Sequence, residues 1–412
     1  MTNAQAISAV PARDGTTASM TGRLELAGTL SIFGMAIAVQ FSIAIAQLAL
    51  AIAIVCWLAV SYVGRERVAV PRFFWPVVAY CGWTLVSSIF SGNPGLSLLD
   101  SKQLVLFLIV PVAYRFISAQ RAPLLLTMVM SIGAVSAAYG LFQWALLHYN
   151  EVGLRPQGTL GHYMTYSGLL MQVLGIAIAK LLFARGERVW AALVMPALLM
   201  TVALTLSRNA WVGTFAAAAV LLALKDLRLL LTLPMVAGLT LTLAGSVVNA
   251  RVLSMFNSQD ATRVDRIAMI REGIHMVQAH PLVGVGPNMV KELYEQFRVP
   301  GAIERINPHL HNVPVQIAAE RGLPALACWL AFIGLLFVDL WRAFKRRSPT
   351  AGNSHIVNPQ KSVVGAALAG LIAMVAGGMF EYNFGDSEFL MLFLLIAVLP
   401  FVPSRQTAST AS

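Results

Sequence analysis

Four short stretches hold the side chains whose types and spacing could do chemistry. Asn307-Pro308-His309-Leu310-His311-Asn312 puts two histidines two positions apart in a polar turn. An imidazole there exchanges a proton near neutral pH and can act as a general base; a plain surface or capping histidine is the alternative. Arg208 stands in Thr205-Leu206-Ser207-Arg208-Asn209-Ala210-Trp211, between two apolar runs with almost no joint. A charge so close to hydrocarbon is costly unless it has a partner or a task. Arg155 opens Arg155-Pro156-Gln157-Gly158-Thr159-Leu160-Gly161-His162, and Arg263, Arg266 and Arg271 recur along one predicted helix. The planar fork of arginine binds two phosphate oxygens at once. Several such forks at a membrane surface suit a lipid-linked pyrophosphate, with its charge at the interface and its tail in the bilayer.

Other chemistries lack their residues. No phosphate-cradling GxxxxGK[ST] loop, no HExxH and no paired cysteines occur. Cys56, Cys81 and Cys328 fall inside apolar runs and read as small buried hydrophobes. His309 and His311 have the spacing of metal ligands, but no carboxylate lies near them in sequence, so no metal site is expected. Asp386-Ser387-Glu388 reads as a polar boundary before the last apolar run.

The elements that must position these residues are membrane helices. Of 412 residues 58% are hydrophobic and 11% charged, against about 25% charged in soluble domains. A net charge of +11 is dispersed among apolar runs, which argues against nucleic acid as a partner. Twelve spans are expected, near 24–42, 45–63, 73–91, 103–118, 122–147, 164–184, 189–206, 209–224, 228–247, 323–341, 362–380 and 387–403. With the N-terminus inside, the inside loops hold 18 of the 29 basic residues, from Arg13 to Arg405, and the short outside loops hold 3. The excess puts both termini in the cytoplasm. The other 8 lie in residues 248–322, the only long stretch that is not membrane-like, which also holds 4 of the 7 histidines.

Inside that stretch Thr262 to Ala279 is expected to be a helix with Thr262 as its N-cap. Ile267, Ile270, Ile274 and Val277 share a narrow face, and Arg263, Arg266 and Arg271 fall within about 140° that includes it, with Asp265 and Glu272 opposite. The isoleucine face is expected to pack inward. Two readings of its arginines stay open: snorkelling at a membrane surface, or inward forks awaiting an anion. His280-Pro281 ends this helix, Gly284 and Gly286 read as a tight turn, residues 288–298 as a short helix, and a further helix begins at Asn312.

The chain resembles the O-antigen ligases, in the superfamily that includes O-antigen polymerases and protein O-oligosaccharyltransferases. The resemblance rests on the Arg155 to His162 loop, Ser207-Arg208, Arg266 and Arg271 leading into His280-Pro281-Leu282-Val283-Gly284-Val285-Gly286, and His311-Asn312 followed by nine residues and Gly322. It covers residues 155–322. It implies an all-α polytopic integral membrane protein of the Gram-negative inner membrane, with about 12 transmembrane helices and one long helical periplasmic loop. The organisation expected is a cytoplasmic tail 1–23, helices 1–9 over 24–247, a periplasmic catalytic loop 248–322, helices 10–12 over 323–403 and a tail 404–412. The implied reaction transfers a glycan from an undecaprenyl pyrophosphate donor to a sugar hydroxyl of lipid A–core, among membrane lipids, with no nucleotide, metal or other cofactor. His311 is then the base with His309 as its backup, and Arg208 and Arg266 stabilise the departing pyrophosphate. Arg155, Arg263, Arg271, Asn312 and His162 bind substrate. An O-antigen polymerase, a protein O-oligosaccharyltransferase and, from another class, a secondary transporter are the alternatives.

Overall fold

The computed structural model describes residues 15–151, 153–257, 259–346 and 359–404. Arg13, Arg347, Arg405, most of the two expected tails and most of the 348–361 loop lie outside these residues. The described chain is helical, without strands. The helices are α1 Gly15–Ala38, α2 Ile43–Gly64, α3 Phe74–Ile89, α4 Pro94–Asp100, α5 Ile109–Phe116, α6 Ala122–Leu146, α7 Tyr163–Phe183, α8 Arg188–Leu204, α9 Arg208–Lys225 and α10 Thr232–Leu253. They continue as α11 Ala261–Ala279, α12 Val290–Leu293, α13 Val313–Arg346, α14 Pro359–Gly378 and α15 Ser387–Val398.

Every expected span falls on helix, but eight helical segments are long and apolar enough to cross a membrane; α3 and α15 are apolar and shorter. This is consistent with a polytopic membrane protein. Helix also takes up both ends of the expected 248–322 loop, because α10 runs to Leu253 and α13 starts at Val313. α7 and α14 are the buried centre of the bundle, lined by small and aliphatic side chains. Outer helices turn large apolar residues outward, as on α2 (Ile45, Leu48, Val55) and α10 (Met235, Leu239, Leu243), the pattern of a surface solvated by lipid. α10 is the least buried of the eight.

The two ends of the bundle differ. At one end Arg115 pairs with Glu25 and Glu66, and Lys225 and Lys361 both lie over the Phe183 ring. At the other end α11 and the turns around it pack on α3 and the start of α13. Glycine decides this packing. α13 breaks at Gly322 (φ +79°), where a Cβ would sit 1.9 Å from the Leu282 carbonyl oxygen. A Cβ on Gly284 (φ +69°) would sit 2.3 Å from the Glu320 backbone. Two bare backbones therefore meet, and Val285 and Gly286 N–H donate to Ala319 and Glu320 carbonyls. Trp83 and Ser87 of α3 close the same seam by donating to the Leu282 and Val283 carbonyls.

α11 corrects an expectation. Its cap is Asp260, whose carboxylate accepts from the Arg263 N–H, not Thr262. Its buried face holds Asp265, Ala268, Met269, Glu272, Gly273 and Met276, while Ile267 and Ile274 are exposed. The helix is rolled by about half a turn from the hydrophobic prediction. The carboxylates anchor the following loop: Asp265 accepts from the Ile303 and Glu304 N–H, and Glu272 from that of Val299. Buried acceptors satisfied in this way outweigh the exposure of two isoleucines.

Candidate active site

The centre of the site is Glu381, in the turn between α14 and α15. Its carboxylate is buried, with 8% of the side chain exposed. His311 Nδ1 lies 2.8 Å from Glu381 Oε2, His309 Nε2 3.7 Å from Oε1, and Arg266 Nη2 3.9 Å from Oε2. The two imidazoles meet edge to face with centroids 4.2 Å apart. Local structure fixes this geometry. His311 sits in the left-handed region (φ +49°), which turns the chain sharply into α13. Asn312 caps that helix by accepting from the Val315 N–H, and its amide donates to the Met379 carbonyl, two residues before Glu381. Asn312 thus ties the histidine turn to the carboxylate turn.

The charges are set by these contacts. Burial alone would raise the Glu381 carboxyl, but the His311 hydrogen bond and the charges of His311, His309 and Arg266 outweigh it and hold it down to about 2. Burial lowers His309 to about 4 against the pull of Glu381, which keeps its ring neutral in ordinary buffers. Burial likewise lowers Arg266, partly offset by Glu381.

A second cluster continues from Arg266. Arg208, set by a left-handed Leu206 (φ +55°) at the α8–α9 turn, places its fork on Asp260, with Nη1 3.0 Å from Oδ1 and Nη2 2.9 Å from Oδ2; Nη2 also meets the Ser254 hydroxyl. The Arg208 bond pulls the Asp260 carboxyl down to about 2. Arg155 lies over the Tyr163 ring at 4.0 Å and is lowered mainly by burial. His162 stacks on Tyr163, and its Nδ1 is 3.4 Å from the Thr165 hydroxyl, which donates to Asp386. Asp386 also caps α15.

Among the expected site residues the structure gathers His309, His311, Asn312 and Arg266 around Glu381, and it places Arg208 and Arg155 in the adjoining cluster. Arg263 and Arg271 lie on the exposed side of α11. His162 lines a cavity of about 180 Å³ with His309, Glu381, Asp386 and Asn209, whereas His311 stands at Glu381 outside that lining. The cavity is below the roughly 300 Å³ at which ligand clefts begin, so it seats a single group rather than a saccharide.

Glu381 and Asp260 were missed in the sequence. The rule that picked out Arg208, a charge in a short joint between apolar runs, applies equally to Glu381. The expectation that the histidines have no carboxylate beside them is also corrected. His309, His311 and Glu381 offer ligand atoms all within 4.8 Å of one another, a donor set that could hold a cation. Arg266 already supplies positive charge at that carboxylate.

Residues 192–330 match the family model described as O-Antigen ligase. That stretch, about a third of the chain, is what the protein shares with the O-antigen ligase/polymerase superfamily. The match contains Arg208, Asp260, Arg266, His309 and His311, while Arg155 and Glu381 fall outside it. No curated protein matches the chain.

Proposed function

We propose that this protein belongs to that superfamily and is a ligase. It transfers an O-antigen glycan from undecaprenyl pyrophosphate to a sugar hydroxyl of lipid A–core, at the periplasmic face of a Gram-negative inner membrane with both termini cytoplasmic. The observation that carries the reading is the half-buried His311 ring on the buried Glu381 carboxylate, flanked by Arg266. With an ionised Glu381 accepting at Nδ1, the His311 ring holds its proton there and presents the Nε2 lone pair. That nitrogen takes the acceptor hydroxyl proton as the oxygen attacks the anomeric carbon. The bond from that carbon to the pyrophosphate oxygen breaks on the opposite side, its electron pair leaves with the pyrophosphate, and the configuration inverts.

Arg266 and Arg208 face the departing charge. A positioned base is worth about 10²–10⁴-fold. A guanidinium about 4 Å from a phosphate oxygen contributes about 4 kcal/mol at an effective dielectric near 20, before desolvation. With two such contacts, electrostatics carries more of the catalysis than the base does. No step calls for a nucleotide, and the residues at the leaving group are cations of the chain itself.

The deciding experiment incubates purified protein with undecaprenyl pyrophosphate–glycan and rough lipopolysaccharide, in EDTA and without nucleotide. A ladder of extended lipopolysaccharide is the expected product. Longer lipid-linked glycan in its place would make the protein a polymerase. Neither product, from folded protein, would turn the assignment toward another acceptor, such as a protein hydroxyl, or toward transport.

A further inference from the structure

Proton transfer at His311 needs one imidazole on one carboxylate, yet two imidazoles meet Glu381. His311 Nδ1 approaches Oε2 at 2.8 Å, and His309 Nε2 approaches Oε1 at 3.7 Å. One ligand atom from each of His309, His311 and Glu381 lies within 4.8 Å of the other two. In a tetrahedral Zn²⁺ site, bonds of about 2.0–2.2 Å hold neighbouring ligand atoms roughly 3.3–3.5 Å apart. The two separations here fall on either side of that range, so small movements bring all three atoms onto one ion. The chain already holds the ligands in place. Leu310, between the histidines, is fully buried, and its N–H donates to the Gln316 amide oxygen at 2.7 Å. Glu381 Oε1 accepts from the Tyr382 N–H at 3.0 Å, an outer contact that orients the carboxylate.

Ligand type selects the ion. Two imidazole nitrogens and one carboxylate suit Zn²⁺ and its transition-metal neighbours, whereas Mg²⁺ and Ca²⁺ take oxygen ligands. His309 and Glu381 also line the cavity of about 180 Å³, so a fourth position opens on space enough for water. Arg266 works against the ion, with Nη2 3.9 Å from Oε2. That resident cation holds affinity down and makes occupancy follow the metal concentration. We propose that His309, His311 and Glu381 form an inhibitory site for Zn²⁺ or a similar transition ion. An ion on His311 Nδ1 occupies the nitrogen that carries the proton in the base form. That proton moves to Nε2, which then donates instead of accepting. The ring keeps one proton and the base is lost. The inhibitory role rests on the transferase reading; the metal site itself does not.

The test titrates Zn²⁺ by calorimetry into untagged full-length protein in detergent, with Co²⁺ added in parallel for the visible spectrum of its tetrahedral complex. Saturable binding by wild type is expected. His309→Ala and Glu381→Gln should each weaken it by at least the roughly 10–100-fold that loss of an outer partner costs. Arg266→Gln should tighten it by about tenfold, because a like charge leaves. In transfer assays without EDTA, Zn²⁺ should lower the kcat of wild type and EDTA should restore it. His309→Ala, compared with its own metal-free rate, should need about tenfold or more Zn²⁺ for the same loss. No saturable binding by folded wild type, or equal affinity in His309→Ala, overturns the metal site. Ligand-dependent binding that leaves transfer intact overturns the inhibitory role. The same binding in a protein that transfers no glycan would keep the metal site and overturn the transferase reading instead.

Discussion

His311 Nδ1 and Glu381 Oε2 lie 2.8 Å apart across 70 residues of sequence, one at the head of α13 and the other in the turn that follows α14. The contact selects between the two histidines. His311 has its Nδ1 directed at a buried anion, whereas His309 Nδ1 is buried without a partner. His311→Ala is therefore expected to lower kcat by about 10²–10⁴-fold while the protein elutes as wild type in detergent. Glu381→Gln, which keeps the shape but removes the charge that fixes the tautomer, is expected to fall between that variant and wild type. His309→Ala is expected to retain most of its activity. A dead His309→Ala beside an active His311→Ala would exchange their roles.

The pH profile separates the same two rings. His309 is lowered to about 4, mainly by burial, and Glu381 is held at about 2. If His309 were the base, kcat would persist on acidification until about pH 4. The acid limb is expected to stay in place in His309→Ala. Stability follows the same groups with a definite sign. An imidazole lowered on folding, and carboxyls lowered on folding, all bind more protons in the unfolded state. His309 thus costs stability as the pH falls from its unfolded value of 6.5 towards 4, and Glu381 and Asp260 add losses from their unfolded values of 4.5 and 3.8 down to about 2. Melting temperatures measured against pH should therefore show a smaller loss on acidification in Glu381→Gln than in wild type.

Asp260 occupies the fork that the donor would use. It also caps α11 through the Arg263 N–H, so two variants divide its tasks. Asp260→Asn keeps a capping acceptor and removes the charge, which should lower KM for the donor by freeing Arg208. Asp260→Ala removes both and should cost about 1 kcal/mol more in stability for the lost cap. Arg208→Lys should be defective in kcat, because an ammonium cannot grip two oxygens at once. Donor kinetics together with thermal melts read all three. An unchanged KM in Asp260→Asn would mean that the donor never displaces this carboxylate.

How much of this was legible in the sequence follows from the physics of each element. The helices were legible because runs of about 20 apolar residues have few other fates. The turn at His309 to Asn312 and the start of α13 were legible from polar residues that cap. The face of α11 was not, because hydrophobic periodicity assumes that acids face solvent, and here Asp265 and Glu272 bind backbone N–H groups of a loop more than 25 residues away. Glu381 was overlooked for a different reason. It lies just past the end of an expected span, after 380, and only the folded chain shows what it faces. Arg263 and Arg271, which the pattern grouped with Arg266, remain on the open side of α11. A double Arg263→Ala, Arg271→Ala variant is accordingly expected to keep kcat within about threefold of wild type.

Gly322 joins the stability of the fold to the site. The break there sets the angle between the first turns of α13, with His311 at their head, and the membrane part of the same helix. Its backbone conformation, φ +79° with ψ 173°, costs an L-residue about 1–3 kcal/mol, and a methyl group would also meet the Leu282 carbonyl oxygen at 1.9 Å. Backbone, not a pliant side chain, receives that clash, so relief requires residues 282–286 to move away from Glu320 and the seam with α3 to open. Gly322→Ala is expected to lose stability and, because Asn312 and His311 move with the upper part of α13, to lose kcat as well. Gly245→Ala is the informative comparison. Nothing lies within 4 Å of the methyl it would gain, so its cost comes from backbone conformation alone, and its break lies in α10 rather than in the helix that His311 heads. Gly245→Ala should lose stability with kcat little changed, while Gly322→Ala should lose both; an equal loss of kcat in the two variants would mean that the break at Gly322 does not position His311.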